Sequence, residues 1–297
     1  MIRTGLAAAV LVIAAACSGS GSGGGAGGAS GSAPRIATIE EQGSFNTPCG
    51  YSHSLPDDPI VHAGMAGMSH RHDFFGATTT DASSDATSLM AGGTNCRSVA
   101  DHTGYWAPAL LAAGIPVQPT EMLAYYQVPI GADATKVQAP PNGLEMIAGD
   151  FTSEAPQDSE VVSWQCGFTP EISPVPLHCP TGMDLRLQLH FDPCWNGDDL
   201  GSEDHRSHLA PLGDDGSCPE SHPVLIPELT VEVRYPTSAV EGDLTLASGP
   251  LTGGHGDALV AWDEDHIAGE VETCLRENLN CNVVSETSRL GFDQLDD

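Results

Sequence analysis

The sequence predicts an all-β fold: a β-sandwich or jelly-roll-like single domain with long disulfide-pinned loops and one C-terminal helix. Three observations lead to this prediction. Several short segments alternate between apolar and polar residues, as half-buried strands do. Glycine and proline, with 34 and 22 residues, interrupt these segments often. Helical periodicity is sparse, and many short strands with few helices are typical of sandwiches and jelly rolls.

Four segments predict strands. Leucines alternate with polar residues over 184–191, and the segment 229–235 repeats that pattern with valines. Successive side chains of a strand point to opposite faces, so each segment presents one apolar face to a core. Shorter segments of the same kind are 161–166 and 244–247.

Helical spacing of apolar residues is clearest near the C-terminus. Residues 257–278 place Leu, Trp, Ile and Val three and four positions apart, which predicts the C-terminal helix. Asp257 is a suitable residue to cap its start. A second, short helix is predicted over 105–113.

The N-terminus has the anatomy of a secretory signal, predicted to span residues 1–17. A positive Arg3 precedes the apolar stretch Leu6–Ala16, which is too short to span a bilayer. The following sequence Ala-Ala-Ala-Cys17 resembles a bacterial lipobox, in which Cys17 would carry a lipid that anchors the protein to the membrane. The alternative is ordinary cleavage and free secretion, so in either case the protein is extracytoplasmic.

The composition changes sharply after the signal. Residues 18–34 are almost all Gly, Ser and Ala, which predicts a flexible linker because such a segment has little apolar surface to bury. Residues 35–297 then form the single predicted domain.

Eight cysteines remain once Cys17 is set aside. An even number in an exported chain predicts up to four disulfides. Spacing alone leaves the connectivity open, and the simplest pairing joins neighbours along the chain. That pairing is Cys49–Cys96, Cys166–Cys179, Cys194–Cys218 and Cys274–Cys281. No Cys-x-x-Cys pair occurs, which disfavours a cysteine zinc site.

The chain is strongly acidic, with 40 Asp and Glu against 10 Lys and Arg and a formal net charge of −30. This charge disfavours nucleic acid and anionic lipid headgroups as partners, because both are polyanions. A solvated acidic surface is the simplest interpretation of most of these residues.

Histidines gather in four polar clusters, at 62–72, 205–208, 222 and 255. In an extended chain the side chains two residues apart share a side, so the His-x-His pair at 70 and 72 suits a metal ion. The alternative is that the clusters are hydrogen-bonded loop networks. A divalent metal ion is the cofactor predicted here, and its candidate ligands are His70, His72, His205, His208 and His222.

Acids embedded in the same motifs are candidates for catalysis. Glycoside hydrolysis usually uses two carboxyl groups across the scissile bond, and neighbouring imidazoles can tune them. The candidate catalytic residues are Asp73, Asp204, Asp257 and His255. Sugar rings stack on exposed aromatic faces, although most tryptophans pack in cores. The candidate substrate-binding residues are Trp106, Trp195 and Arg206.

Several motifs recur in an order that resembles the family catalogued as domain of unknown function 1996. They are DPIVHAGMAGMSHRHDFFG, AGGTNC, YWAPAL, FDPCWNG, DHRSH, CPESHP and GHGDALVAWD, and they span roughly 58–281. Members of that family are exported proteins of bacteria and fungi, some of them joined to carbohydrate-binding modules. The resemblance therefore implies work at a polysaccharide or a cell wall.

Two functions remain open from the sequence. The first is an exported, lipid-anchored or secreted hydrolase that acts on cell-wall or extracellular polysaccharide through a His/Asp site, with a metal-assisted hydrolase as a variant. The alternative is a non-catalytic carbohydrate-binding or wall-associated protein. An enzyme requires at least two of the candidate acids to meet in one open cleft.

Overall fold

The computed structural model describes residues 35–36, 42–236 and 244–283. The predicted signal peptide 1–17, its Cys17 and the linker 18–34 lie outside the described residues. The described residues all fall within one compact unit. No helix among them is both long and apolar enough to cross a membrane.

Short strands dominate the architecture. The strands are β1 (Arg35–Ile36), β2 (Ser44–Leu55), β3 (His72–Gly76), β4 (Gly104–Pro108), β5 (Leu110–Ala112), β6 (Ile115–Pro116), β7 (Glu121–Gln127), β8 (Glu145–Gly149), β9 (Val162–Cys166), β10 (Glu171–Ser173), β11 (Leu185–His190), β12 (Cys194–Trp195), β13 (Leu209–Ala210), β14 (Val224–Leu225), β15 (Glu228–Tyr235), β16 (Leu244–Leu246), β17 (His255–Leu259) and β18 (Asn280–Val283). The helices are α1 (Ala86–Ala91) and α2 (Glu264–Glu270), and a π-helical segment, Val271–Leu275, continues α2.

Twelve strands form one sheet in the order β1-β10-β9-β11-β15-β7-β2-β3-β4-β17-β8, with β18 beside β2. Neighbours along this order are antiparallel, whereas β18 pairs with β2 in parallel. Two small sheets, β13-β12-β14 and β16-β5-β6, lie outside this order.

The large sheet curls until its two halves pack face to face. Gly256 of β17 lies against Leu189 of β11 so closely that a Cβ there would overlap the leucine side chain. A Cβ on Gly254, just before β17, would lie 2.8 Å from Val162 Cγ1 of β9. Leu187 and Trp164 belong to the buried core between these halves. The predicted all-β, sandwich-like fold is therefore confirmed.

The four disulfides join the neighbouring cysteines as predicted: Cys49–Cys96, Cys166–Cys179, Cys194–Cys218 and Cys274–Cys281. The two cysteines of each pair are between 7 and 47 positions apart in the sequence. Each disulfide therefore closes a loop of the chain covalently. Disulfides of this kind persist in oxidising compartments, which indicates a location outside the cytoplasm.

The strands predicted over 161–166, 184–191, 229–235 and 244–247 are confirmed as β9, β11, β15 and β16. The C-terminal helix is also present, but it begins after Asp263, whose carboxylate accepts the backbone N–H of His266 at 2.9 Å.

Two helix predictions were wrong. The prediction of helix from Asp257 onwards fails because 257–259 belongs to β17, and 105–113 contains β4 and β5 instead of a helix. Every residue of β4 and β17 is buried. A strand covered on both faces loses its polar alternation, and periodicity then cannot distinguish it from a buried helix.

Candidate metal centre

The outer face of β3, β4, β17 and β8 carries an unusual set of buried polar side chains. In β3 the alternation places His72 on the face opposite Phe75, which belongs to the main core. In β17 the core-facing Gly256 separates His255 from Asp257, so these two share the outer face. β4 runs between β3 and β17, and the imidazoles of the two strands therefore approach each other across it.

Three imidazoles meet at this place. His70 lies in the extended segment before β3, and its ring centre is 4.2 Å from that of His72 and 5.0 Å from that of His255. The Nε2 atoms of His70 and His255 are 3.1 Å apart. One nitrogen from each of the three rings lies within 4.8 Å of the others, which suits ligation of one metal ion.

Backbone carbonyls fix the orientation of two of these rings. The Nδ1 of His72 lies 2.9 Å from the carbonyl oxygen of Asp57, and the Nδ1 of His255 lies 2.8 Å from that of Gly253. A carbonyl only accepts, so each Nδ1 carries the hydrogen and each Nε2 keeps a lone pair. This is how proteins orient imidazoles that bind metals.

Two carboxylates complete the cluster. Asp58, His72 and Asp257 form a second buried group whose ligand atoms lie within 4.8 Å of one another. One Asp58 oxygen accepts the backbone N–H groups of Ile60 at 2.9 Å and Val61 at 3.0 Å, which holds its side chain in place.

Two atoms of the cluster are buried without a hydrogen-bond partner among the described residues: Nε2 of His72 and Oδ2 of Asp257. Their side chains are 0% and 2% exposed. Leaving such atoms unsatisfied costs roughly 1–3 kcal/mol each, so native proteins rarely do it without a reason. A bound cation would satisfy both.

Burial sets the protonation of the cluster. It lowers the pKa of His70 and of His255 to about 4, and it lowers the pKa of His72 well below its ordinary value. Burial also raises the pKa of Asp257, with a smaller contribution from the charge of Asp58, and burial raises the pKa of Asp58 itself. The imidazoles are thus held in the neutral form that binds metal ions.

This donor set suits a divalent transition metal. Imidazole nitrogens and carboxylate oxygens bind Zn²⁺ at about 2.0–2.2 Å, which keeps ligand atoms roughly 3–4 Å apart around one ion. His72 belongs both to the group of three imidazoles and to the group with Asp58 and Asp257. Its one free ring nitrogen, Nε2, can bind only one ion. The cluster therefore fits a single ion that draws ligands from both groups.

The cluster is least buried at His70. His70 is only partly buried, whereas His72 and His255 are fully enclosed. The half-exposed Phe151 lies beside the cluster, with its ring centre 6.4 Å from that of His70 and 5.9 Å from that of His255.

A polar cavity of about 220 Å³ lies next to the cluster. Ile147 lines it, and Ile147 pairs in register with Asp257 across β8 and β17. Arg206 lines it as well and donates a hydrogen bond to the backbone carbonyl of Gly149 in β8. Asp192, Asp204 and His205 supply further polar groups to its wall.

Of the sequence-predicted residues, His70, His72, His255 and Asp257 come together in the cluster, and Asp204, His205 and Arg206 line the adjacent cavity. One Asp204 oxygen accepts hydrogen bonds from Ser202, Arg206 and Ser207, which organises the loop and lowers the pKa of Asp204. The Nδ1 of His205 lies 3.6 Å from a Glu145 oxygen.

The other predicted histidines lie outside the cluster. The ring nitrogens of His208 contact Ser202 Oγ at 2.9 Å and the carbonyl of Glu145 at 2.6 Å. Those of His222 contact Ser221 Oγ at 2.9 Å and the carbonyl of Ser207 at 3.0 Å. Both rings therefore use both nitrogens to brace loops.

Asp73 and the two tryptophans also lie away from the cluster, so the three candidate acids do not meet in one cleft: Asp257 lies in the cluster, Asp204 lines the cavity and Asp73 lies on the opposite face. Asp73 follows His72 in β3 and points to the opposite face, where Ser54 donates a hydrogen bond to it. Burial raises the pKa of Asp73 to about 6. Trp106 is 1% exposed and packs against Phe74, so it presents no ring face to solvent. Trp195 is partly exposed in β12.

Asp58 and Asp57 were not predicted from the sequence. Both precede His62, the first histidine of the cluster at 62–72, by a few residues, so the signal that points to them is an acidic pair just before that cluster. Asp57 contributes its carbonyl to His72, and its carboxylate accepts the backbone N–H of Gly67 at 2.7 Å.

The comparisons with known proteins identify a family but no named relative. Neither the curated proteins nor the solved structures contain a match to this chain. The family model for the domain of unknown function DUF1996 matches residues 58–262, which include every member of the cluster. The chain belongs to the DUF1996 family.

Proposed function

We propose that this chain is an exported, metal-dependent hydrolase of extracellular or cell-wall polysaccharide, anchored to the membrane by a lipid on Cys17. One observation carries the proposal: His72 Nε2 and Asp257 Oδ2 are buried and unpaired among the described residues, inside a group of ligand-type side chains. What supports a metal ion is the combination of two such unpaired atoms with ligand atoms that lie within 4.8 Å of one another.

The residues divide the chemistry between them. His72 and His255 would hold the ion, because their rings are fixed by backbone carbonyls. His70 lies on the solvent side, where the substrate arrives. A metal ion bound here would supply a nucleophile at neutral pH, because such ions lower the pKa of a bound water to about 7. Asp257 would complete the ligand set through Oδ2, and Asp58 beside it is the remaining carboxylate placed to hold or pass on the proton.

The adjacent cavity supports a hydroxyl-rich substrate. Its wall combines the guanidinium of Arg206 with the side chains of Asp192, Asp204 and His205, so it offers both donors and acceptors. The net charge of −30 disfavours a polyanionic substrate. A neutral polysaccharide has many hydroxyl groups and no charge, so it suits both the polar wall of the cavity and the acidic chain.

The test compares His72→Asn with the matched control His222→Ala. The full chain is purified, its metal content is measured by plasma mass spectrometry, and neutral polysaccharides are screened for released reducing ends. We expect one divalent ion per wild-type chain and loss of both ion and turnover in His72→Asn. The control should retain both, because His222 only braces an exposed loop.

Two outcomes would reject the proposal. Polysaccharide affinity without any product would establish a non-catalytic carbohydrate-binding protein instead. Equal metal content in the wild type and His72→Asn would place the ion elsewhere. Unchanged thermal melting of the metal-free variants shows that loss of turnover does not reflect unfolding.

A further inference from the structure

A second group of ligand-type side chains lies on the surface loop before His70. This loop contains the tandem repeat His62-Ala-Gly-Met65-Ala-Gly-Met68. The backbone N–H of Met65 donates to the carbonyl of His62 at 2.9 Å, and that of Met68 donates to the carbonyl of Met65 at 3.3 Å. Each hydrogen bond closes a four-residue turn, and the second turn begins where the first ends.

Glycine makes this double turn possible. Gly64 and Gly67 occupy the third position of the two turns with φ of 71° and 77°. A type II turn requires φ near +80° at that position, which glycine adopts without strain. The loop is also tied down, since Asp57 accepts the N–H of Gly67 at 2.7 Å.

The double turn gives His62, Met65 and Met68 equivalent places at the turn ends. The Cα atoms at the two ends of a β-turn lie within about 7 Å of each other. An imidazole and two long, flexible thioether side chains at this spacing can reach one ion. Met65 and Met68 are 47% and 63% exposed, so the core does not hold their side chains.

Thioether and imidazole together form a soft donor set. Soft ligands select Cu(I), whereas carboxylate and imidazole ligands suit harder divalent ions. We propose that His62, Met65 and Met68 form a surface site for a soft monovalent metal ion, namely Cu(I). The site uses none of the ligands of the buried cluster, and it does not depend on the hydrolase function proposed above.

The decisive experiment uses Ag(I), an air-stable ion with the same soft ligand preference as Cu(I). The full chain, labelled with ¹³C on the methionine methyl groups, is titrated with silver nitrate in chloride-free buffer and followed by NMR. The chain has seven methionines, which keeps the methyl spectrum simple. We expect the signals of Met65 and Met68 to shift together and to saturate at one ion per chain.

Met183 provides an internal control, because it is 38% exposed and lies outside the double turn. Its signal should not move at one equivalent of Ag(I). In Met65→Leu and Met68→Leu the side chains remain apolar, so folding is unaffected. The affinity for Ag(I) should fall about tenfold or more in each variant, which corresponds to a loss of at least about 1.4 kcal/mol of binding free energy. Competition with a Cu(I)-specific chelator under ascorbate should rank the variants in the same order.

Any of three results would overturn the proposal. They are a shift of Met183 in parallel with Met65 and Met68, unchanged affinity in both leucine variants, and no saturable binding of Ag(I) to the wild type. Divalent metal content should be equal in the wild type and the leucine variants, so failure of this site and failure of the buried cluster are distinguishable.

Discussion

Asp257→Asn should stabilise the metal-free protein while it weakens metal binding. Asp257 is 2% exposed, and its Oδ2 has no hydrogen-bond partner in the described part of the chain. An unsatisfied buried group costs roughly 1–3 kcal/mol. Asparagine has nearly the same volume, carries no charge at any pH, and offers an N–H donor near the free Nε2 of His72. We expect the metal-free variant to gain about 1–3 kcal/mol in free energy of unfolding.

Differential scanning calorimetry with chelator and with Zn²⁺ measures both effects. For a domain of this size, the gain corresponds to an increase in Tm of roughly 2–10 °C without metal. The wild type should gain about 2.7 kcal/mol when free Zn²⁺ reaches a hundred times its Kd, and Asp257→Asn should gain less at the same concentration. Asp214→Asn, an exposed acid far along the chain from the cluster, is the matched control and should change neither value.

The opposite result would refute this reasoning. If Asp257→Asn lowers the Tm of the metal-free protein, then the carboxylate makes a stabilising contact and the cluster is structural. If Zn²⁺ raises the Tm of the wild type and of Asp257→Asn equally, then Asp257 is not a ligand.

Two further predictions concern the scaffold. Replacing Cys49 and Cys96 with alanine should cost roughly 4 kcal/mol of unfolding free energy, against roughly 2–3 kcal/mol for Cys274 and Cys281. The reason is that the disulfide with the longer loop constrains the unfolded chain more. Equal losses in urea titrations would contradict this. Burial raises the pKa of Asp101 to about 7 from an unfolded value of 3.8. Between these values the native state holds a proton that the unfolded chain releases. The free energy of unfolding should therefore fall by on the order of 4 kcal/mol from about pH 4 to pH 7. Urea titrations of Asp101→Asn should lack this part of the decline, and an unchanged pH dependence would contradict the assignment.

Local patterns predicted much of the fold. The segments 184–191 and 229–235 each have one apolar and one polar face, and they became β11 and β15. The disulfides also followed sequence proximity. The prediction failed at β4 and β17, because strands buried on both faces have no polar alternation to distinguish them from helix.

The candidate site was predictable only where its residues are close in sequence. The rings of His70 and His72 meet because residues two apart in an extended chain share a side. His255 is 185 positions from His70 along the chain and reaches it only through the order β3-β4-β17 in the sheet. His208 and His222 resemble ligands in sequence, yet their loops use both ring nitrogens, which only tertiary structure reveals.

Anomalous X-ray diffraction from crystals grown with Zn²⁺, recorded on both sides of the zinc absorption edge, tests the metal centre most directly. We predict one strong anomalous peak about 2.0–2.2 Å from Nε2 of His72, with His255 and Asp257 within bonding distance of the same peak. No peak at the cluster, or a peak bound only to surface histidines such as His222, would contradict the assignment of this cluster as a metal site.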